Sequence, residues 1–243
     1  MSNYNVYDKI ISKTGQIAVL IDPEKISNYI KLKELLLKIE KSNIDFIFIG
    51  GSTCSKIQFY NVTKFVKENS KLTTIIFPGS NNQISEHADG ILYLSLISGR
   101  NPTYLIGQHV ESALQLSNIN IEIIPTGYIL IDGHSQTSVV NISQTKAIKS
   151  NDIDLALKTS LAGQHLGKKI IYFDAGSGAK KPVKNKLIRE IKNHVKIPII
   201  VGGGIKTTKK IIKLKKLGVN IIVVGNIIEE NINFLNEINK LSK

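Results

Sequence analysis

The stretch YFDAGSGAKK (residues 172–181) follows a short apolar run and places small residues where the chain is expected to turn. Two later stretches have the same form, VGGGI at residues 201–205 and VGN at residues 224–226. Glycine lets backbone N–H groups approach an anion closely, and a β/α barrel commonly builds its phosphate site from the loops after strands 7 and 8. Period-2 alternation places Tyr172 and Asp174 on the same strand face. The three stretches therefore predict a phosphate site with a carboxylate beside it.

Eight short apolar runs, rich in Ile and Val, recur along the 243 residues, at 17–21, 45–49, 73–77, 91–94, 121–124, 170–173, 197–201 and 220–224. Their continuous apolar character is typical of strands buried on both faces. Helical patterns separate most of them, at 28–41, 56–68, 102–115, 152–166, 183–194, 207–217 and 227–240. The alternation predicts one domain over residues 1–243 with the α/β class and a TIM-type (β/α)8 barrel, whose usual size is about 250 residues.

Two connections depart from this alternation. Residues 78–90 read PGSNNQISEHADG, which is turn chemistry, so we expect the third helix to be reduced or replaced by a loop. Such a gap is expected to leave apolar barrel wall uncovered, as a groove for a hydrophobic ligand. Residues 132–150 form a long polar connection, for which a binding lid and disorder both remain open.

The net charge of +13 comes almost entirely from lysine, because Arg100 and Arg189 are the only arginines. Abundant Lys, Ile and Asn are typical of AT-rich coding, and the chain has no basic run with interleaved aromatics, so we predict no nucleic-acid partner. Attraction to a peripheral membrane surface or to anionic substrates remains open. The single cysteine, Cys54, excludes an internal disulfide framework and favours a cytoplasmic location.

Polar residues at the ends of the early strands are candidates for chemistry. Asp22 and Lys25 follow the first strand, where a carboxylate suits Mg²⁺ and a lysine suits phosphate oxygens, although Asp22 could instead cap a helix. Ser52 follows two glycines after the second strand and either completes a metal shell or caps a helix. Arg100, after the fourth strand, could grip a diphosphate bidentately. The five histidines show no zinc-ligand spacing.

A longer set of motifs carries a family resemblance. LIDPEK, GGS, FPGS, SGRNPTYLIGQHVESA, PTGYILIDG, YFDAGSGAKKPV, VGGGI and VVGN occur in this order across most of the chain. Together they resemble the geranylgeranylglyceryl phosphate synthase family, which also contains bacterial heptaprenylglyceryl phosphate synthases. VGGGI and VGN alone are common to many phosphate-binding barrels, whereas the whole combination is specific.

This resemblance implies a prenyltransferase that forms an ether bond between sn-glycerol 1-phosphate and a long-chain prenyl diphosphate, with geranylgeranyl diphosphate preferred, and that uses Mg²⁺ as cofactor. It implies a homo-oligomer as well. Asp22 and Ser52 match the metal positions, and Lys25 and Arg100 would stabilise the leaving diphosphate beside the catalytic Asp174. The positions that match the glycerol-phosphate site are Tyr172, Phe173, Asp174, Ala175, Gly176, Ser177, Gly178, Ala179, Gly203, Gly204, Gly225 and Asn226.

One position departs from the family pattern, which has Glu in YLEAGSG where this chain has Asp174. Asp is one methylene shorter, so its role as base or orienter of the glycerol hydroxyl is open. Two other functions compete with prenyl transfer. Another phosphate-binding barrel enzyme acting on a small metabolite needs no apolar trough, and a scaffold at a membrane surface would explain the charge but not the converging glycine loops and carboxylates.

Overall fold

A computed structural model describes residues 5–135 and 137–241. Its strands are β1 (Gln16–Ile21), β2 (Phe46–Ile49), β3 (Thr73–Ile76), β4 (Gly90–Leu96), β5 (Glu122–Leu130), β6 (Ile170–Asp174), β7 (Ile199–Gly202) and β8 (Ile221–Val224). Each strand pairs in parallel with the next, and β8 pairs with β1, with Gln16 opposite Ile221. The predicted TIM-type barrel is therefore confirmed.

The helices that the structure describes lie around this barrel and at its ends. They are α1 (Val6–Ile11), α2 (Tyr29–Glu40), α3 (Lys56–Asn69), α4 (Gln108–Ser117), α5 (Ser138–Ser143), α6 (Ile153–His165), α7 (Asn185–His194), α8 (Thr208–Lys216), α9 (Asn226–Glu230) and α10 (Phe234–Asn239). A 3₁₀ turn covers Pro23–Lys25, and a π-helical turn at Thr103–Gly107 leads into α4. Within the described residues, none of the helices has both the length and the apolar character that crossing a bilayer requires.

The strands divide their side chains between two apolar layers. On β6, Ile170 and Tyr172 pack in the barrel interior, whereas Ile171 and Phe173 pack against the surrounding helices. This is the alternation that an extended strand imposes. Val6 and Ile10 of α1 join the interior layer, and Lys9 Nζ donates to the carbonyl of Asp45 at 3.1 Å, just before β2 begins. Helix α1, which no sequence pattern predicted, thus closes the end of the barrel at which the strands begin.

The third connection contains no helix, as predicted, since only turns and bends lie between β3 and β4. The expectation that apolar barrel wall would be uncovered there is wrong, however. Ile84 and Ala88 of this loop are buried in the outer apolar layer beside Ile91 of β4. The loop is held by Gln83, whose side chain donates to the Gly51 carbonyl at 2.7 Å and accepts from the Gly79 amide at 2.9 Å. The loop itself therefore covers the wall that a helix would cover elsewhere in the barrel.

Two further differences from the predicted elements have local causes. The single helix expected at 227–240 is divided into α9 and α10 because Asn231 is extended and its side chain accepts from the Asn233 amide at 3.1 Å. Short polar side chains of this kind compete with helical hydrogen bonds. Strand β5 is longer than its apolar run, because it continues through Pro125, which lies opposite Tyr93 of β4.

Candidate active site

A cavity of about 580 Å³ lies at the C-terminal ends of the barrel strands. Its lining includes Asp22 after β1, Gly51 and Ser52 after β2, and Gly204 after β7. The carboxylate side and the glycine side predicted from the sequence thus face the same space.

The glycine side of the cavity consists of the loops after β6, β7 and β8. Seven of the predicted positions line it: Ser177, Gly178, Ala179, Gly203, Gly204, Gly225 and Asn226. Gly203 and Gly204 have φ angles of +77° and +65°, in the left-handed region that favours glycine. The Ser177 hydroxyl donates to Asn226 Oδ1 at 3.3 Å and so joins the first loop to the third. This side offers turned, close-packed backbone to an anionic group.

Three predicted positions do not line the cavity. Phe173 and Ala175 are fully buried in the outer layer, because alternate residues of the strand face the helices. Gly176, at φ +90°, faces Thr137, whose Cγ2 would lie 2.2 Å from a Cβ at this position. Its amide donates to Asp174 Oδ1 at 2.7 Å. These residues support the loop from behind, and the sequence pattern alone did not separate them from those that face the cavity.

Asp174 lies at the base of the cavity and is 7% exposed. Its Oδ2 accepts a 2.7 Å hydrogen bond from the Tyr128 hydroxyl, and its Oδ1 accepts the Gly176 amide. Burial raises the pKa of this carboxyl, and the two hydrogen bonds oppose the rise. A raised pKa makes the carboxylate a stronger proton acceptor than an exposed one.

An aromatic floor, formed by Phe77, Tyr128 and Tyr172, surrounds this carboxylate. Phe77 stacks on Tyr172 with ring centroids 4.9 Å apart, and Tyr128 meets Tyr172 edge-on at 5.5 Å. Burial, followed by the nearby charge of Asp174, raises the pKa of both tyrosines well above their usual value. Both phenols therefore stay neutral at physiological pH, and Tyr128 donates to Asp174.

Asp22 and Ser52, which follow β1 and β2, line the same cavity next to the β8 loop around the barrel. Asp22 Oδ1 accepts a hydrogen bond from the Glu24 amide at 3.1 Å. This carboxylate therefore caps the 3₁₀ turn, which is the second role that the sequence left open for it. It also borders the cavity, and partial burial raises its pKa. A Cβ on Gly51 would lie 2.3 Å from Asp22 Oδ1, which explains the glycine at that position.

The two predicted cations differ in their positions. Lys25 lines the cavity, and its Nζ forms a 2.6 Å ion pair with Glu229 Oε2 of α9. Arg100 is exposed and does not line the cavity. Its backbone is left-handed at φ +63°, and its guanidinium donates to the Ile97 carbonyl. In this structure the Arg100 side chain turns back onto its own loop, and its contact with a diphosphate stays a prediction.

The donors around Asp22 match the coordination preferences of Mg²⁺. Within residues 5–135 and 137–241, no group of three or more His, Cys, Asp or Glu side chains is placed to hold a metal ion. Mg²⁺ does not need such a cage, because it commonly binds one or two carboxylates and completes its shell with waters and substrate phosphates. One carboxylate from Asp22 and one hydroxyl from Ser52, both beside the cavity, fit that kind of site.

A family model described as the PcrB family matches residues 9–242. The chain belongs to the PcrB family. A relative from Zunongwangia profunda, named geranylgeranylglyceryl phosphate synthase, is 47% identical over 215 residues, which are 88% of this chain and 90% of the relative. A relative of the same name from Pyrococcus horikoshii is 38% identical over 87% of this chain and 83% of its own length.

Solved structures agree with this membership. The (S)-3-O-geranylgeranylglyceryl phosphate synthase of Thermoplasma acidophilum, crystallised with sn-glycerol-1-phosphate, matches with a TM-score of 0.90 and 31% identity. The match covers 97% of this chain and 96% of that one. The resemblance identified from the sequence motifs is thereby confirmed.

Sequence reasoning missed one wall of the cavity in this PcrB family chain. Helix α5, inside the long connection 132–150, contributes Val139 and Ile142 to the lining, so the described part of that segment is a folded wall. Tyr104 also lines the cavity, and its hydroxyl donates to the Ile142 carbonyl at 3.1 Å. Tyr104 lies in the motif RNPTYLIGQH, which the sequence analysis singled out. No local pattern, however, shows that the connection containing Tyr104 meets the connection containing α5.

Proposed function

We propose that this chain forms an ether bond between the 3-hydroxyl of sn-glycerol 1-phosphate and C1 of geranylgeranyl diphosphate, and releases diphosphate. The observation that supports this most strongly is one cavity that is lined by the glycine loops, by Asp22 and Ser52, and by the buried Asp174. Relatives that share between a third and a half of its residues carry the corresponding name.

The phosphate of the acceptor binds the glycine side. Gly203 and Gly204 add no side chain of their own to the backbone there, and Ser177 and Asn226 add polar atoms. Anchoring the phosphate holds a weakly nucleophilic hydroxyl beside the second substrate, which turns the encounter into an effectively intramolecular step.

Asp174 accepts the proton of that hydroxyl as the new C–O bond forms. Its burial, which raises the pKa, supports this role, and the Tyr128 hydroxyl fixes the orientation of its carboxyl group. The electron pair of the broken C–O bond leaves with the diphosphate. The allylic carbon spreads positive charge while that bond breaks, so the step needs no strong nucleophile.

The diphosphate of the donor binds beside Asp22, Ser52 and Lys25, which line the same cavity as the glycine loops. Mg²⁺ held by Asp22 and Ser52 would neutralise charge on the departing oxygens. The prenyl chain lies along the apolar part of the lining, which includes Leu94, Leu96, Tyr104, Val139 and Ile142. This path replaces the groove that we had expected at the third connection.

The test is to incubate the purified protein with sn-glycerol 1-phosphate, Mg²⁺ and radiolabelled prenyl diphosphates of increasing length. We expect an ether product and a kcat/KM that rises with chain length until the apolar lining is filled, because each buried methylene contributes about 0.8 kcal/mol. Absence of ether product with every donor would overturn the function. Equal kinetics for short and long donors would overturn the apolar path alone.

A further inference from the structure

Nearly all of the net charge of this protein lies in one segment. Residues 180–216 contain twelve lysines and Arg189 against a single acid, Glu190, so they carry +12 of the chain's +13. The rest of the chain, with 19 basic and 18 acidic residues, is almost neutral. A charge that arose from coding bias alone would be spread along the sequence. Its concentration in one segment calls for a structural explanation.

Most of this segment folds into two neighbouring helices and the loops before them. It contains α7 and α8, which follow the neighbouring strands β6 and β7. Lys210 of α8 joins the two helices, because its Nζ donates to the Val183 carbonyl at 2.6 Å and to Asn185 Oδ1 at 2.5 Å. Residues 182–185 and side chains of α8 line one open surface cleft. Lys184, just before α7, and Lys209 and Lys213 of α8 therefore border the same cleft.

Helix α8 presents a regular exposed stripe. Lys209, Ile212, Lys213 and Lys216 occur at positions i, i+3, i+4 and i+7 of the helix, and all four are exposed. Ile212 is 39% exposed although it is apolar. In the described part of the chain, none of the three lysines forms an ion pair with a carboxylate. Their charge is therefore directed at solvent rather than used within the fold.

We propose that this basic face, formed by Lys186, Arg189, Lys209, Lys213 and Lys216, docks the protein on an anionic lipid bilayer. Lysine is a compact, strongly hydrated point charge, which suits the diffuse field of anionic headgroups, and an exposed Ile212 among lysines suits the interface. Nucleic-acid grooves favour arginine forks and aromatic stacking, whereas residues 180–216 contain one arginine and no aromatic residue.

The basic face also borders the cavity. Lys206 lines the cavity mouth and lies three residues before Lys209, and the helices begin at the end of the barrel where the strands terminate. Docking through this face would keep the mouth beside the lipid surface. That position serves the proposed function, on which this inference rests, because a long-chain prenyl diphosphate and its ether product both partition into bilayers.

The test is flotation of the full chain with vesicles of phosphatidylglycerol and phosphatidylcholine, compared with vesicles of phosphatidylcholine alone. The variant Lys209→Gln/Lys213→Gln/Lys216→Gln removes the stripe. The control Lys31→Gln/Lys33→Gln/Lys38→Gln removes three exposed lysines from α2. We expect binding to the anionic vesicles alone, and a loss on the order of 100-fold in the stripe variant only, since each surface lysine contributes roughly 1 kcal/mol.

Equal losses in the two variants, or no flotation of the wild type with anionic vesicles, would overturn the proposal. So would binding to duplex DNA that depends on the same three lysines when the vesicles are not bound. Ether formation from detergent-dispersed donor, measured without vesicles, is expected to be the same in both variants and wild type. Its presence or absence reports on the proposed function separately from the docking.

Discussion

Asp22 and Asp174 face one cavity with different supporting contacts. Asp174 receives two hydrogen bonds and is almost fully buried, whereas Asp22 caps a turn at the rim with one. Burial raises the pKa of both carboxyls. The tightly held group suits proton transfer, and the partly open group suits a cation that brings its own waters and phosphate ligands.

Replacing Asp22 with Asn tests the metal role. The amide oxygen still accepts the Glu24 hydrogen bond, so the turn and the barrel are expected to stay folded. The loss of the charged ligand is expected to raise the Mg²⁺ concentration needed for half-maximal turnover by more than the roughly 10–100-fold that outer-shell partners cost. A Mg²⁺ titration of the initial rate measures this. An unchanged titration curve would remove Asp22 from the metal site.

Replacing Asp174 with Asn tests the base. We expect kcat to fall by about 100- to 10,000-fold, the usual contribution of a positioned acid or base, with a smaller change in KM for glycerol phosphate. Asp174→Glu keeps a carboxylate and is the matched control, which should retain more activity than the Asn variant. Steady-state kinetics of the three proteins give the comparison. A normal kcat in Asp174→Asn would exclude the role.

The same variant has a second expected effect, on stability. Because burial raises the pKa of Asp174, the folded state holds its proton more tightly than the unfolded state does. The free energy of unfolding of the wild type is therefore expected to fall as the pH rises from the pKa of an unfolded aspartate, about 3.9, through the raised pKa of folded Asp174. Asp174→Asn cannot lose a proton and should escape this decline. Urea unfolding of both proteins across that range measures it, and a difference that does not grow with pH would contradict the expectation.

At the scale of elements, the loops that follow the strands differ in what supports them. The loops after β6 and β7 pack back to back, so that a Cβ on Gly203 would lie 2.5 Å from Asp174 Oδ1. The loop after β3 has no helix behind it and is held by Gln83 and buried Ile84. Helix α5 provides a wall from within a connection. Each of these contacts joins segments that are distant in sequence.

Gly204→Val tests whether the glycine side of the cavity binds the phosphate of glycerol phosphate. A side chain there would lie 3.1 Å from the Ala179 carbonyl oxygen, and φ of +65° costs an L-residue roughly 1–2 kcal/mol. We expect KM for glycerol phosphate to rise about tenfold or more. Gly167→Val is the control, because Gly167 has φ +81° with no atom within 4 Å and does not line the cavity. If both variants keep the wild-type KM, the glycine side does not bind the phosphate.

At the scale of the whole molecule, the cavity depends on closure of the barrel, which places β1 beside β8 and so brings the loops of β1 and β2 to the same cavity as those of β6, β7 and β8. Charged and apolar side chains are also unevenly distributed over the surface of the molecule. The basic face lies on α7 and α8, while α4 exposes apolar side chains. Val110 and Leu114, one turn apart, are 65% and 75% exposed, and Ile106 precedes them at 59%. A patch of this kind is typical of an interface between subunits.

We therefore expect the purified protein to be a homo-oligomer that associates through α4. Leu114→Glu should shift it towards the monomer mass, because a charge at the centre of the patch opposes burial. Ile30→Glu is the control, since Ile30 is 73% exposed but has Lys33 and Glu34 on its face of α2. Light scattering after size exclusion gives the masses. A monomeric wild type, or dissociation by both variants, would contradict this interface.

The strand and helix pattern could be predicted from the sequence because hydrophobic period and turn chemistry are local properties. The apolar runs, the glycine stretches and the acids at strand ends are all visible in a window of about ten residues. The PGSNNQISEHADG segment likewise indicated a missing helix. Local reasoning failed where a distant contact decided the outcome, as with α1, whose Val6 and Ile10 are stabilised only by the closed barrel end.

The sequence by itself therefore determined the barrel, the family and the chemical types at the mouth. Tertiary structure alone decided which of those residues face the cavity. It turned Phe173 and Ala175 outward, turned Arg100 back onto Ile97 and brought Tyr128 to Asp174. The physical reason is that a side chain's partners depend on strand face and barrel closure, which join residues far apart in the chain.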